Sequence, residues 1–369
     1  MRLIKGFTPN WFTAGMGTGI VALDAYLLPA GPGWLRTVGT GLWFLNMALV
    51  AGLLVLMGLR AVVDPQGVKK IFTHPMQSMF FGAIPMAFTT VVNGFFDMGP
   101  HYFGASAYHV GAVLWVINTI IALGSVIIIP FLMFISHDHD LSGMTAVWLM
   151  PIVPAEVVAA SSGLMLPHLS NLALQQDVFV GTMVLWAFSV PMAFLLLGTL
   201  FLRLALHKLP PRELAISTWI TLGTLGTGIM GLMMVAKDSA IVYPHIAASI
   251  AGAATLASLV LWGLGLWWMV HSFLISGYYL LKRSLPFNLG WWGLTFPLGV
   301  FTGGTDLLYH AMGTAIFRWA AMGFFVLLAA FWIMVALFTI RHLAELGQPL
   351  LRPSIDADTE DAGDEEEVG

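Results

Sequence analysis

The residues of this chain that could do chemistry are sparse, and the most unusual is a carboxylate in apolar surroundings. Glu156 is the one acidic residue deep inside a long apolar segment, which begins near residue 145. A carboxylate in such a place is energetically costly, which makes it a candidate functional group. It could carry a proton if burial favours its neutral form, or it could make a structural hydrogen bond to a neighbouring helix. Both interpretations stay open.

A second group consists of hydroxyl and amide side chains inside apolar segments. Because basic residues are rare there, a solute inside the membrane could be bound only by these side chains, by freed backbone N–H groups and by helix N-terminal ends. Such a set of single donors would bind weakly and at several places. Each hydroxyl alone is also explained by a hydrogen bond to its own helix backbone. The candidates are Thr89, Asn93, Ser217, Thr221, Thr224 and Thr295.

Titratable residues also collect at one set of segment ends. They could form a vestibule, with histidines that change charge near pH ~6.5, or they could simply be solvated at an interface. Lys237, Asp306 and His310 are the candidates for a vestibule site. The other members of the set are Asp24, Asp97, His101, His109, His168, Asp238 and His245.

The run His137-Asp138-His139-Asp140 contains four consecutive residues that could ligate a metal. Adjacent residues rarely all point at one ion, so a polar loop is the competing interpretation. The histidines do not pair at helical spacing inside the apolar segments, which argues against a membrane metalloenzyme. The chain has no cysteine, which excludes thiolate sites and disulfides. We expect no metal, no cofactor, no nucleic-acid partner and no enzymatic activity.

The elements that must position these residues follow from composition. Hydrophobic residues make up 58% of the 369 and charged residues 9%, with a mean hydropathy of +0.86. So apolar a chain belongs in a bilayer, where a spanning helix needs about 20 apolar residues. The sequence predicts an all-α integral membrane protein with ten spans. They are 8–29, 35–62, 76–98, 106–135, 145–167, 177–203, 213–236, 245–281, 290–312 and 314–340.

Lysine and arginine predict the orientation of these spans. Twelve of the 15 fall at the termini and in the loops on their side, against Arg36, Lys237 and Arg318 on the other. Positive charge favours the cytoplasmic side. We therefore expect a multi-pass protein of the plasma membrane, the cell's inner membrane, with both termini in the cytoplasm.

The C-terminal stretch differs from the rest in composition. SIDADTEDAGDEEEVG carries eight acidic residues and has no hydrophobic periodicity. Such a stretch is typical of a disordered, solvated tail. The sequence thus predicts a membrane domain over 1–345 and an acidic cytoplasmic tail over 346–369.

The predicted spans alternate in character. The odd-numbered ones carry small residues and prolines, including Gly17 and Gly19 in GMGTG, Pro85, Pro154, and Gly228 in GTLGTG. Small residues allow close helix approach, and broken backbone at membrane depth must be covered by protein or line a cavity. We expect five helical hairpins with odd helices inside and even helices outside. The inner faces could enclose a path or could simply pack tightly.

The ninth span holds the densest set of such residues, GWWGLTFPLGVFTGG (290–304). It contains Pro297, Gly299 and Gly303, with Phe296 beside the proline. Residues 296, 299, 303, 306 and 310 fall on one helical stripe. A lipid-facing helix gains nothing from this break, so the stripe is expected to face inward.

Four stretches together resemble one family. They are FTPNWFTAGMGTGI (7–20), HPMQSMFFGAIPMAFTT (74–90), WLMPIVPAEVVAASSG (148–163) and WWGLTFPLGVFTGGT (291–305). They are similar to the tellurite-resistance/dicarboxylate transporter family, which includes slow anion channels, malate carriers and sulfite exporters. Their residue patterns are most similar to those of the malate-carrier and sulfite-exporter branch.

The resemblance implies ten helices in five hairpins around a pore in each protomer, and often a trimer. It also implies that Phe296 plugs the pore, with the neighbouring glycines leaving room for the ring. An ordinary packed phenylalanine is the alternative.

The function it implies is transport of a small anion, malate or another C4-dicarboxylate, or sulfite. Proton coupling and a passive channel for chloride, nitrate or tellurite remain alternatives. No arginine fork for two carboxylates lies in the spans.

Overall fold

A computed structural model of the protein describes residues 2–28 and 31–347, and all regular secondary structure in these ranges is helical. The predicted tail, 346–369, lies almost entirely outside them. The α-helices are α1 (Arg2–Gly6), α2 (Phe12–Leu27), α3 (Gly33–Val63), α4 (Pro65–Thr73), α5 (Ala83–Asp97), α6 (Gly99–Phe103), α7 (Ser106–Ile135), α8 (Pro154–Met165), α9 (Leu172–His207), α10 (Ile220–Val242), α11 (Ala247–Leu281), α12 (Phe296–Met312) and α13 (Ala315–Gly347).

Seven helical stretches in the described residues are long and apolar enough to cross a membrane. They coincide closely with seven predicted spans. The other three predicted spans, 8–29, 145–167 and 290–312, hold the shorter helices α2, α8 and α12. At about 1.5 Å per residue, the 12 residues of α8 cover only about 18 Å. These three segments are not among the seven long apolar stretches.

Prolines lie at the starts of two of these shorter helices and of α5. Pro154 is the first residue of α8, Pro297 the second residue of α12, and Pro85 the third of α5. In the first turn a proline loses no intrahelical hydrogen bond, so it favours a helix start. The prolines thus begin inner helices, whereas the sequence had suggested breaks within them.

A 3₁₀ stretch precedes each of the five helices that correspond to the odd-numbered spans. The α-helix follows its 3₁₀ stretch directly in α2, α5 and α10, after one further residue in α12 and after four in α8. They are Pro9–Trp11, Ser78–Gly82, Ala146–Leu149, Arg212–Trp219 and Leu289–Leu294.

Burial separates two groups of helices. In the most apolar windows of Ser78–Asp97 and Arg212–Val242, 83% and 89% of the residues are buried, against 17–33% in the other five long stretches. The residues of α2, α8 and α12 are mostly buried too. The exposed group, α3, α7, α9, α11 and α13, presents valine, isoleucine, leucine and phenylalanine outward. The burial pattern is therefore that of a core of five helices inside a ring of five longer ones.

Glycine allows the core helices to touch backbone to backbone. A Cβ on Gly226 of α10 would lie 2.5 Å from the backbone nitrogen of Phe301 in α12. Real Cβ atoms do not approach backbone so closely, so α10 and α12 can pack this way only with glycine at that position. By contrast, a Cβ on Gly263 of the outer helix α11 would meet nothing within 4 Å.

This contrast gives a matched pair of variants. Gly226→Ala should destabilise the protein by about 1–3 kcal/mol, because the α10–α12 backbones must separate. Gly263→Ala should be neutral or stabilising by up to about 1 kcal/mol, because alanine is the better helix former. Thermal unfolding of both variants in detergent tests the packing. Equal unfolding midpoints would contradict it.

Candidate functional site

Two cavities lie at opposite ends of the five core helices. The first, here the amino-end cavity, has a volume of about 380 Å³ and is lined by residues at or before the helix starts. The second, the carboxyl-end cavity, has about 70 Å³ and is lined by residues from the later turns of the same helices. The amino-end lining is Asn10, Thr13, Met16, Phe80, Val147, Met150, Glu213, Leu214, Ile216, Ser217, Ile220, Asn288, Leu289, Gly290, Trp292, Gly293 and Pro297. The carboxyl-end lining is Ile20, Leu23, Asp24, Leu27, Leu28, Asn93, Asp97, Ala160, Leu164, Met230, Met234, Thr302, Gly303, Asp306 and Leu307.

The lining residues fix the direction of the core helices. In α2, Met16 lines the first cavity and Asp24 the second, and in α12 Pro297 and Gly303 do the same. α5, α8 and α10, each with its preceding 3₁₀ stretch, follow the same order. All five therefore run parallel, with their positive N-terminal ends at one cavity and their negative C-terminal ends at the other.

Phe296 is the first residue of α12. The next residue, Pro297, lines the amino-end cavity, and Thr302 lines the other. These two positions are about 7.5 Å apart along a helix axis, and the interval between them is the closed section that separates the cavities. Phe296 is 3% exposed, lines neither cavity and adjoins the amino-end side of this closed section.

Gly299 and Gly303 of α12 have different surroundings. A Cβ on Gly299 would lie 2.4 Å from Cγ1 of Ile20, so α2 occupies the space beside this glycine. Contrary to expectation, Gly299 leaves no free space into which the Phe296 ring could rotate. A Cβ on Gly303 would lie 3.5 Å from Oδ1 of Asp24, in ordinary contact, and Gly303 lines the carboxyl-end cavity.

Gly17 and Gly19 are packing positions. A Cβ on Gly17 would lie 2.2 Å from Oγ1 of Thr295, and a Cβ on Gly19 would lie 2.0 Å from Oγ1 of Thr90. Thr295 itself is fully buried and donates a hydrogen bond to the Trp292 carbonyl at 2.7 Å. None of these three candidates lines a cavity.

The polar groups of α5 divide between two faces. Thr89 donates to the carbonyl of Pro85 at 2.9 Å, and Asn118 of α7 donates to both residues. These contacts join an inner to an outer helix and lie away from both cavities. Asn93 lines the carboxyl-end cavity, where its Oδ1 accepts a hydrogen bond from Ser161.

The candidate residues of the seventh span do not face one cavity together. Ser217 lines the amino-end cavity with a buried Oγ that has no hydrogen-bond partner among the described residues. Thr221 donates to its own backbone at 2.8 Å, and Thr224 lines neither cavity. A Cβ on Gly228 would lie 3.2 Å from Leu261 of α11, facing outward. Ser217 belongs to a 3₁₀ stretch with about 3.0 residues per turn, so α-helical spacing gave the wrong register.

Glu156 is fully buried and lines neither cavity. Its Oε1 accepts a hydrogen bond of 2.6 Å from Thr227 of α10, and Ser189 of α9 also faces the carboxyl. Pro154 begins the same helix. The hydrogen bond from Thr227 to Glu156 joins α10 to α8. Thr227 was not among the candidate hydroxyls predicted from the sequence. It lies three residues after the candidate Thr224 in GTLGTG.

The vestibule candidates separate as well. Asp306 lines the carboxyl-end cavity and pairs with His310 at 3.6 Å, whereas the exposed Lys237 lines neither cavity. Asp24 and Asp97 join Asp306 in the lining. Asp24 and Asp97 lie in the last turns of α2 and α5, and this position is what predicts from the sequence that they belong to the same end as Asp306.

The His137–Asp140 run lies between α7 and the Ala146–Leu149 stretch, and its imidazoles point to different groups. His137 Nε2 lies 2.8 Å from the Phe72 carbonyl, and the His139 ring lies 4.7 Å from Trp148. Burial is the main cause that lowers the pKa of His139 from its usual value. The described residues contain no group of three or more His, Asp and Glu that could hold a metal ion.

Known proteins resemble this chain along almost its whole length. The sulfite efflux pump SSU1 of Arthroderma otae is 33% identical over 347 residues, covering 91% of each chain. An uncharacterized transporter of Methanocaldococcus jannaschii is 29% identical and covers 93% of this chain and 95% of its own. The malic acid transport protein of Schizosaccharomyces pombe is 22% identical and covers 96% and 82%.

A family model described as a voltage-dependent anion channel matches residues 6–340. The match includes all five core helices and both cavities, and it agrees with the resemblance drawn from the four sequence stretches. The protein is therefore a multi-pass membrane transporter or channel for anions, and the chain belongs to the voltage-dependent anion channel family.

Proposed function

We propose that this protein carries sulfite, or malate and similar C4-dicarboxylates, through a path inside each protomer that joins the two cavities. The observation that carries the proposal is that one set of five parallel helices lines both cavities. Relatives named as a sulfite efflux pump and a malic acid transport protein support this choice of substrates. A passive channel for chloride, nitrate or tellurite is the alternative.

The chemistry of the amino-end cavity suits a small anion. The positive ends of the core-helix dipoles point toward this cavity, where they favour negative charge. Ser217 offers a buried hydroxyl without a partner among the described residues. Glu213 is the only charged residue in the lining, and Arg212 pairs with it at 2.8 Å. The site would therefore bind anions through neutral donors, weakly enough to release them.

The membrane arrangement we propose is ten spans in five hairpins. Each core helix begins at the amino-end cavity and ends at the carboxyl-end cavity, so an outer helix must return the chain between one core helix and the next. The excess of lysine and arginine on the terminal side supports cytoplasmic termini, an amino-end cavity open to the cytoplasm and a place in the plasma membrane. Assembly as a homotrimer is part of the proposal by family resemblance.

The direct test is a flux panel in proteoliposomes. Purified protein is reconstituted and the efflux of sulfite, malate, nitrate and chloride is measured, each with and without a pH gradient. We expect sulfite or malate to leave fastest, and empty liposomes supply the baseline. Faster nitrate or chloride flux would favour the passive channel. Flux of none of the four above baseline would overturn the proposal.

Ser217→Ala tests the amino-end site. Loss of a hydrogen bond to a charged ligand costs about 1.5–3 kcal/mol, so the half-saturating anion concentration should rise about tenfold or more. Ser272→Ala is the matched control, because Ser272 of α11 is equally buried and lines neither cavity. The same half-saturation in the two variants would exclude Ser217 from the site.

Phe296→Ala tests the plug. Removing the ring should raise anion flux severalfold, because it leaves the closed section without its aromatic side chain. Phe301→Ala is the control on the same helix, since that ring packs against Gly265 and Phe324. It should lower stability without raising flux per folded protein. Unchanged flux through folded Phe296→Ala protein contradicts the plug.

A further inference from the structure

The carboxyl-end cavity is acidic, which is unexpected at the mouth of an anion path. Asp24, Asp97 and Asp306 line it, one from each of α2, α5 and α12. Asp24 is only 6% exposed. Each of the three carboxyls has one oxygen with no hydrogen-bond partner among the described residues. Asp24 and Asp306 lie close enough to repel one another, and Asp97 lines the same cavity of about 70 Å³.

Little positive charge balances them, since Arg36 of α3 and Arg318 of α13, at the same end of the helices, lie over the rings of Tyr26 and Trp319. His310 reaches Asp306 at 3.6 Å from the exposed side. Lys237 interacts with Asp97 but is exposed and makes no ion pair within 4 Å in the described part of the chain, and Asp238 beside it adds another buried carboxylate. His168, which follows α8, stacks on Tyr108. The lining residues of α8, Ala160 and Leu164, carry no charge.

The helix backbones add to the negative potential. All five core helices end at this cavity, and each C-terminal end carries the equivalent of about half a negative charge. With its three carboxylates ionised, the cavity repels every anion that approaches it. An anion path with this mouth needs a positive ligand there, at least part of the time.

We infer that Asp24, Asp97 and Asp306 form a proton-binding site, and that its occupancy determines whether an anion passes this mouth. Each carboxylate takes a proton from water at this face and becomes a neutral carboxyl group, which no longer repels the anion and can donate a hydrogen bond to it. Protons fit the site better than a metal ion, because no metal-binding group occurs among the described residues. The inference rests on the proposed anion path and identifies the proton as the second ion that this path binds.

The consequence is a defined pH dependence. As pH falls and the site fills, anion flux should rise. If the termini are cytoplasmic, the site faces the outside of the cell, so a neutral exterior hinders anion re-entry and an acidic exterior permits it.

The test compares the full-length protein with the variant Asp24→Asn/Asp97→Asn/Asp306→Asn in proteoliposomes with equal pH on both sides. The anion is the one that moves fastest in the flux panel. When pH falls from about 7.5 to about 5.5, anion flux through the unmodified protein should rise about tenfold. This is at the lower end of the effect that a charged cleft has on association rates. The variant should be fast at both pH values. Because the anion's own titration is common to both proteins, their ratio isolates the site.

Asp177→Asn is the matched control, because Asp177 is an exposed aspartate near the start of the outer helix α9. It should keep the pH profile of the unmodified protein. The same profile in the triple variant would overturn the inference. So would flux that depends on sodium at fixed pH and is indifferent to pH.

A second measurement does not depend on transport. Infrared difference spectra of purified protein between the same pH values should show a protonated-carboxyl C=O band, and the triple variant should lose most of it. If no anion moves at either pH, the proposed function fails, and this band still decides whether the site binds protons. Should the triple variant not purify as one species, Asp24→Asn replaces it. Removing one like charge should then shift the midpoint of the flux profile to lower pH.

Discussion

The structure depends on one constraint, which is that a polypeptide at membrane depth must have its backbone hydrogen bonds satisfied by protein. Four of the five core helices have 12 to 17 residues, so α8 is about 18 Å long and α12 about 26 Å. A hydrocarbon core is about 30 Å thick. These helices are shorter than that thickness, so the 3₁₀ stretches before them need cover by protein. The ring of longer helices provides it, and cavities form where the core helices stop.

The same constraint explains why the core is rich in glycine and short polar side chains. Helices that must be surrounded by protein on all sides approach most closely where side chains are smallest, as at Gly226 against Phe301. Hydroxyls then bond to their own backbone or to the next helix. Most residues expected to face a path, including Thr89, Thr295 and Gly228, therefore hold helices together. A small-residue stripe identifies an inner helix but does not identify its open face.

Much of the architecture could be predicted from the sequence. Apolar length located the helices to within a few residues for α7 and α11, and the alternation of small and large residues indicated which are buried. The face on which each side chain lies was less predictable. Ser217, for example, belongs to a 3₁₀ stretch, which has fewer residues per turn than an α-helix. The partner of Glu156 could not be predicted either, since Thr224 and Thr227 are both threonines in one motif and only packing tells them apart. The cluster of Asp24, Asp97 and Asp306 depends on three distant helices ending together.

Both cavities lie among the five core helices of one chain. This has a genetic consequence if copies assemble. In a pore formed between subunits, one defective copy can silence the whole complex. Here a copy with a blocked path would remove only its own contribution to transport, whichever copies it assembles with. Mutations that block the path should therefore be recessive, and total transport should follow the dosage of intact gene copies.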